Sequence, residues 1–424
     1  MSRTDEQDGR GAETDMTIGN KGPAPMTAAL ARGLVSRRTL MLGAGGLGVT
    51  GLAACGVKGR NPGAGSGVAA RPTAKAAHDM SETEKVVNWS NWPEYIDVDD
   101  KTQSRPTIDE FTRQTGITVN YTEDYNDNDE FYAKVRPLLS AGQDTGRDVW
   151  CSTDWMVARL MRQGFVQKIE LANFPNHANI EDSLITVEFD PGRLYSVPWQ
   201  SGFTGIAYNP KATGGKKIET VDQLLTDPSL KGKVTLLTEM RDTVGLVLLA
   251  MGKKLDSFTE ADFMAAIDEI KKAKDSGQIK GFTGNEYGKP LSSGDTAACF
   301  AWTGDVVQLQ ADNPTLGYAL PATGFPLWSD NFVIPGMARH KTNAEKLINY
   351  YYEPEVMARV VEYVHYISPV RGTTAILQRD DPAVAANPLI VPDEKTRANA
   401  HVFRGLTAAE ETKFSQAFSE LTAG

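Results

Sequence analysis

The stretch TIDEFTRQTGITV (Thr107–Val119) changes its hydrophobic period partway along. Ile108 and Phe111 stand three apart, on one face of a helix, with polar residues for the other face. Gly116 supplies a helix stop, and Ile117-Thr118-Val119 resumes as a β-branched strand. Upstream, Val86-Val87-Asn88-Trp89 also begins as a strand, so Val86 to Val119 reads as a β-α-β unit. The alternation continues on both sides of Gly202. Asp127 and Glu130 form an expected capping box before a helix from Phe131 to Leu139, kinked by Pro137. Asp148–Ser152 is a strand and Asp154–Gln163 a helix stopped by Gly164. Further on, strand Val234–Leu237 leads to helix Thr243–Met251, and helix Thr259–Asp275 leads to Ile279. Strand Ala297–Ala301 leads to helix Asp305–Ala311. A last strand at Phe332-Val333-Ile334 precedes helices Asn343–Tyr352 and Pro354–Glu362, with Tyr350-Tyr351-Tyr352 expected to pack rather than bind. The fold class is α/β, in two halves.

Composition narrows the function. A chain of 424 residues, 41% hydrophobic, can bury two cores, and a net charge of -10 argues against nucleic acid as a partner. Cys55, Cys151 and Cys299 are too few for a disulfide framework, and His78, His177, His340, His365 and His401 have no metal-ligand spacing. No cofactor or metal is expected. Asp124 to Glu130 lacks the glycine of a calcium loop and has Val135 where that loop needs glutamate, so helix capping is the better reading. No nucleophile-elbow, phosphate-loop or zinc-protease motif occurs, so no enzyme is expected.

The N-terminus reads as an address. Arg37-Arg38 precede a glycine-rich run, Leu40 to Ala54, which is shorter than the roughly 20 residues of a membrane span. The run ends in Leu52-Ala53-Ala54-Cys55, which resembles a lipoprotein signal following a twin-arginine motif, with Cys55 acylated. Residues 1–54 are thus expected to be signal and 55–80 a flexible tether.

Four strand ends place tryptophan beside an acid. In Asn91-Trp92-Pro93-Glu94-Tyr95, proline stops the strand and leaves Glu94 and Tyr95 in a loop. Ser152-Thr153-Asp154-Trp155, Trp302-Thr303-Gly304-Asp305 and Trp328-Ser329-Asp330 repeat the pairing, although Asp305 could also be only a helix N-cap. Gly304 permits close approach. Ligands of α/β sheets bind at strand ends. Aromatic faces with carboxylates suit a small organic cation, whose charge needs acids and whose methylenes need apolar cover, and aromatic platforms also suit a sugar ring.

These motifs, with Thr115-Gly116-Ile117-Thr118-Val119, Asp148-Val149-Trp150-Cys151-Ser152, Ser196-Val197-Pro198-Trp199 and Gly205-Ile206-Ala207-Tyr208-Asn209, resemble the bacterial spermidine/putrescine-binding lipoproteins in order and interval. The resemblance implies a type II periplasmic-binding-protein fold, two α/β lobes joined by crossing hinge strands. Lobe 1 is expected over 81–205 and 331–368, lobe 2 over 206–330 and 369–424. It further implies a monomer on the outer face of the cytoplasmic membrane or in the periplasm that delivers a polyamine to an ABC permease and its ATPase. Site residues carried over are Trp92, Tyr95, Ser152, Trp302, Asp305, Trp328, Asp330 and Tyr366, with Glu239 or Asp242 as the second lobe's acid. Asp154 stands where a spermidine-type tyrosine is expected, and Glu94 is either a charge partner or a rim carboxylate. Other readings are a binding protein for another small cation or a sugar, a lipid-anchored sensor, and a surface glycoside-active enzyme using paired acids.

Overall fold

The computed structural model describes residues 72–99 and 101–423; the expected signal, Cys55 and most of the tether lie outside them. Val86–Asn91 (β1), Thr118–Glu123 (β2) and Val149–Thr153 (β3) are parallel, with Val87 opposite Val119 and Trp89 opposite Val149. The helix between β1 and β2, Pro106–Thr115, buries Thr107, Ile108 and Phe111, and Gly116 closes it at φ 71°. Pro106 takes the first helical position, where a missing N–H costs nothing. The next helix, Asn128–Ala141, is capped by Asp127 through Asp129 N and Glu130 N. Only half of the expected capping box forms, because Glu130 accepts from Asn126 Nδ2 instead.

After a short hairpin, Thr186–Val187 (β4) with Asp190–Pro191 (β5), comes Val197–Tyr208 (β6), buried at every residue. The second half has its own parallel set, Val234–Leu237 (β7), Ile279–Thr283 (β8) and Ala298–Trp302 (β9). Gly317–Ala319 (β10), Phe325–Val333 (β11) and Ala400–His401 (β12) complete the sheet, whose main path is β2-β1-β3-β11-β6-β9-β7-β8. The expected strand at Phe332 is thus the end of a longer one.

Two α/β lobes result, and β6 and β11 cross between them. The first part of β6 pairs antiparallel with β11, Trp328 facing Gly202, while its last part pairs with β9, Thr204 facing Trp302. The other edge of β11 holds β3 through Asp330 and Thr153. A third crossing follows Tyr366, where Ile367 bridges to Ser201. The Tyr350–Tyr352 cluster is core.

Two expectations change. Residues 369–385 pack with the first lobe, not the second: Val370 bridges to Ile180, Arg371 N donates to Asn179 O (2.7 Å), and helix Thr373–Asp380 lies on helix Pro354–Val364. The end of the chain does join the second lobe: Arg404 N donates to Leu255 O (2.9 Å), Phe403 lies 4.8 Å from Phe258, and in the helix Ala408–Thr422 Phe414 stacks on Phe263 at 3.9 Å. The described end of the tether is also not loose. Residues 72–80 run along the first lobe, where Asp79 accepts from Thr342 N (3.1 Å) and Ser81 Oγ from Asn343 N (3.1 Å). Helix Lys341–Tyr351 has no side-chain cap of its own, so this distant segment satisfies its orphan donors.

Nearby, buried Asp148 accepts from Asn88 N, Asn88 Nδ2, Arg339 N, His340 N and His340 Nδ1, all within 3.1 Å. Asp148→Ala strips these donors of their acceptor, and the expected loss of unfolding free energy is about 3 kcal/mol or more. Urea denaturation measures it; a loss below about 1 kcal/mol would contradict this role.

Candidate functional site

Between the lobes lies a cavity of about 900 Å³. Its walls are strand ends. β1 delivers Trp92 and Tyr95, β3 delivers Thr153, Asp154 and Trp155, and β9 delivers Trp302 and, one helical turn later, Asp305. Trp328 and Asp330 lie two apart on β11, hence on one face, and Tyr366 enters from the third crossing. The helix Met240–Ala250 adds Glu239 and Asp242 from its first turn. Both alternatives for the second lobe's acid therefore line the cavity.

The aromatic side chains form one connected group. Trp302 is 6.1 Å from Trp92 and 6.5 Å from Trp328 between ring centroids; Trp328 is 5.4 Å from Tyr366, which is 5.2 Å from Tyr95. Two glycines make room for them. A Cβ on Gly202 would come within 2.6 Å of the Trp328 ring, and one on Gly304 would collide with Tyr366.

The carboxylates are held by neutral donors. Asp330 accepts from Thr153 Oγ1 (2.6 Å) and Tyr95 OH (2.9 Å), and Asp242 from Trp302 Nε1 and Thr204 Oγ1 (both 2.8 Å). Asp305 accepts from Tyr366 OH (2.5 Å), Tyr287 OH (2.6 Å) and Asn285 Nδ2 (2.7 Å), so it is no N-cap. Asp154 accepts from Asn331 Nδ2 (2.7 Å) and Glu239 from Asn128 Nδ2 (3.1 Å). Among the described residues, none of these five carboxylates forms an ion pair.

Burial consequently dominates their titration. It pushes Asp330 up to about 7 and Asp242 up to about 6, despite the hydrogen bonds that oppose it. Asp305, Asp154 and Glu239 are also raised, burial leading in each. For Asp330 the distance from 3.8 to about 7 is worth about 4 kcal/mol against the ionised form. A cation placed here relieves that penalty; a neutral ligand does not.

Two carried-over residues stand outside. Ser152 is fully buried below the cavity, its Oγ contacting Tyr125 OH (2.9 Å) and Trp150 Nε1 (3.1 Å), and Thr153 lines the wall in its place. Glu94 is exposed at φ 53° and accepts from Tyr363 OH (3.2 Å). Lining residues outside the expected site set include Asn128, Trp155, Arg241, Asn285, Phe403 and Glu411. Trp155 had a signal, an indole next to Asp154 at a strand end. Asn285 had none, because its role depends on a loop folding back to Asp305.

The lobes already touch across the cleft. Thr238 Oγ1 donates to Asp127 Oδ2 (2.8 Å), Asn285 N donates to Asn126 Oδ1 (3.1 Å), and Glu411 bridges Arg159 and Arg241.

Raised carboxylates fix the sign of the pH response. Between the ordinary value of 3.8 and the raised values of about 6 and 7 the ligand-free fold holds more protons than the unfolded chain, so these groups make it progressively less stable as pH rises through that window. A bound cation favours the ionised forms, so protons leave on binding and affinity should increase from pH 5 to pH 8. Calorimetry of the ligand in buffers of different ionisation enthalpy measures the released protons; uptake, or none, near pH 6.5 would contradict the assignment.

Comparison with known proteins bears on the family and the fold. The profile of the family described as bacterial extracellular solute-binding protein matches residues 107–392, more than half of the chain. The spermidine/putrescine-binding periplasmic protein of Escherichia coli is 27% identical over 350 residues, 82% of this chain and 94% of its own. The putrescine-binding periplasmic protein PotF of the same organism is 26% identical, over 78% of this chain and 90% of its own. Among solved structures, the TpPotD lipoprotein of Treponema pallidum superposes with a TM-score of 0.65 at 23% identity, covering 80% of this chain and all of that one (100%). At 19% identity, with a TM-score of 0.61 and covering 80% of this chain and 96% of its own, an Agrobacterium protein solved with agropinic acid shares the fold alone. The family and these curated relatives are binding proteins of transport systems, not enzymes. With its two lobes, its crossing strands and the matched span, the chain belongs to the bacterial extracellular solute-binding proteins.

Proposed function

We propose that this chain is the substrate-binding component of an ABC importer for a linear polyamine of the putrescine and spermidine class. The observation that carries the reading is the set of five carboxylates at Asp154, Glu239, Asp242, Asp305 and Asp330, without ion-pair partners, walled by Trp92, Trp302 and Trp328. Carboxylates replace water around each ammonium, and indole faces cover methylenes at about 0.8 kcal/mol per buried group, with roughly 0.5 to 2 kcal/mol for each cation-π contact. Polyamine binding by the Escherichia coli relatives supports the reading. The fold by itself does not, since a protein solved with agropinic acid has it too. A neutral sugar could use the aromatic walls but would leave the acids desolvated and uncompensated.

The export reading extends this. Cys55, outside the described residues, would be acylated and hold a monomer at the outer face of the cytoplasmic membrane, from which it delivers polyamine to a permease and its ATPase. Labelling with palmitate should be lost in Cys55→Ser; label that survives would end that part of the proposal.

Calorimetry tests the ligand. Polyamines should bind and a neutral sugar should not. Asp305→Asn and Asp330→Asn each remove one partner of a desolvated charge pair, about 2 kcal/mol or more, hence at least tenfold in affinity. Wild-type affinity in both variants would overturn the site.

A further inference from the structure

Arg241 is not explained by a site for a free polyamine. It stands one residue from Asp242 on the helix Met240–Ala250, lines the same cavity and is only 8% exposed. Its guanidinium lies over the Trp155 ring, 3.8 Å from the centroid, with Phe403 on another side at 5.9 Å. A guanidinium carries five N–H donors. Among the described residues Arg241's side chain makes one hydrogen bond, at 3.5 Å to Glu411 Oε1, the outer limit for such a bond.

Glu411 is already engaged. The same carboxylate accepts from Arg159 Nε at 3.1 Å and from Arg162 Nη2 at 2.5 Å. Asp129 is the remaining acid of the cluster and pairs with Arg159. Three guanidiniums therefore share Glu411 and Asp129, and Glu239 acts on Arg241 through its charge without a hydrogen bond, so most of the Arg241 donors stay unused. Burial lowers Arg241 to about 10, with Glu239 and Glu411 opposing, so it stays charged at neutral pH.

This positive group shares a cavity with five acids. An ammonium set against the guanidinium itself is repelled by it, whereas a carboxylate can take the unused donors in a fork. The space exists as well. A cavity of about 900 Å³ is at the top of the roughly 300 to 1,000 Å³ range of sites for drug-sized ligands, and spermidine has only about ten non-hydrogen atoms. Phe189, Leu327, Val402, Phe403 and Leu406 give the surplus volume an apolar lining.

We propose that the cleft is built for a polyamine conjugate with a carboxylate-bearing acyl group on one terminal nitrogen. The free ammonium end occupies the acidic aromatic box, and the carboxylate sits on Arg241 above Trp155. This deepens the polyamine reading and rests on it. Arg241 is then the residue that selects conjugated over free polyamines.

The test titrates the purified protein with putrescine, spermidine, N-acetylputrescine and N-succinylputrescine. The succinyl conjugate should bind at least tenfold tighter than the acetyl one and tighter than putrescine. Arg241→Gln should weaken the succinyl conjugate at least tenfold while strengthening putrescine, because the repulsion is gone. Arg162→Gln, at an exposed position and so expected to fold, frees part of Glu411 for Arg241 and should shrink the preference partway; it serves if Arg241→Gln does not fold. Equal binding of acetyl and succinyl conjugates, or free polyamines binding as tightly as the succinyl conjugate, would overturn this inference and leave the polyamine reading intact. Binding of neither free nor conjugated amines would overturn the polyamine reading itself.

Discussion

The antiparallel pairing of β6 with β11 is the constraint on which the site depends. These strands join the lobes, and the same residues shape the cleft: Trp328 lies opposite Gly202, and Asp330 opposite Gln200. A side chain at position 202 would displace the Trp328 ring. Register therefore does two things at once. A slip by one residue would turn Trp328 and Asp330 to the opposite face and empty the cleft of both an aromatic wall and an acid.

Given that frame, the electrostatics is a matter of who satisfies the carboxylates. Tyrosine, tryptophan, threonine and asparagine donors hold each acid in place without neutralising it. Such donors orient a charge but recover only part of its lost hydration, which is why burial still governs the titration. Had lysines or arginines filled these positions, the site would be internally complete. As built, Arg241 and Arg193 act on some of these acids only through space, and on the proposed reading a bound cation would supply the direct partner.

Much of this was legible in the sequence. Alternating periods around Gly116 gave the first β-α-β unit, and three of the four tryptophan-acid pairs at strand ends line the cavity whole, while the pair at Trp92 does so without Glu94. Gly304 next to Trp302 signalled a close approach, and Tyr366 provides it. What stayed hidden depends on long-range contact. Ser152 matched the family pattern, yet strand alternation turns it under the cavity and brings Thr153 to the wall. Arg241 was not singled out in the sequence; only the fold places it over Trp155 with Glu411 shared among three arginines. Residues 72–80 have the composition of a linker, and nothing local reveals that Asp79 and Ser81 meet the start of a helix more than two hundred residues later.

That last contact determines how the two lobes can move relative to whatever holds the N-terminus. Asp79, Ser81 and the backbone of Lys75 and Met80 fasten the incoming chain to the first lobe, at the turn formed by Met337 to Asn343. A pull or a restraint applied from the N-terminal side is thus received by one lobe only. If the second lobe turns about the three crossings after Ser201, before Asp330 and around Ile367, the first lobe is the jamb that keeps its attachment to the incoming chain and the second is the door. Such a turn would leave the contacts of Asp79 and Ser81 with Thr342 and Asn343 unchanged, since both sides of them belong to the first lobe.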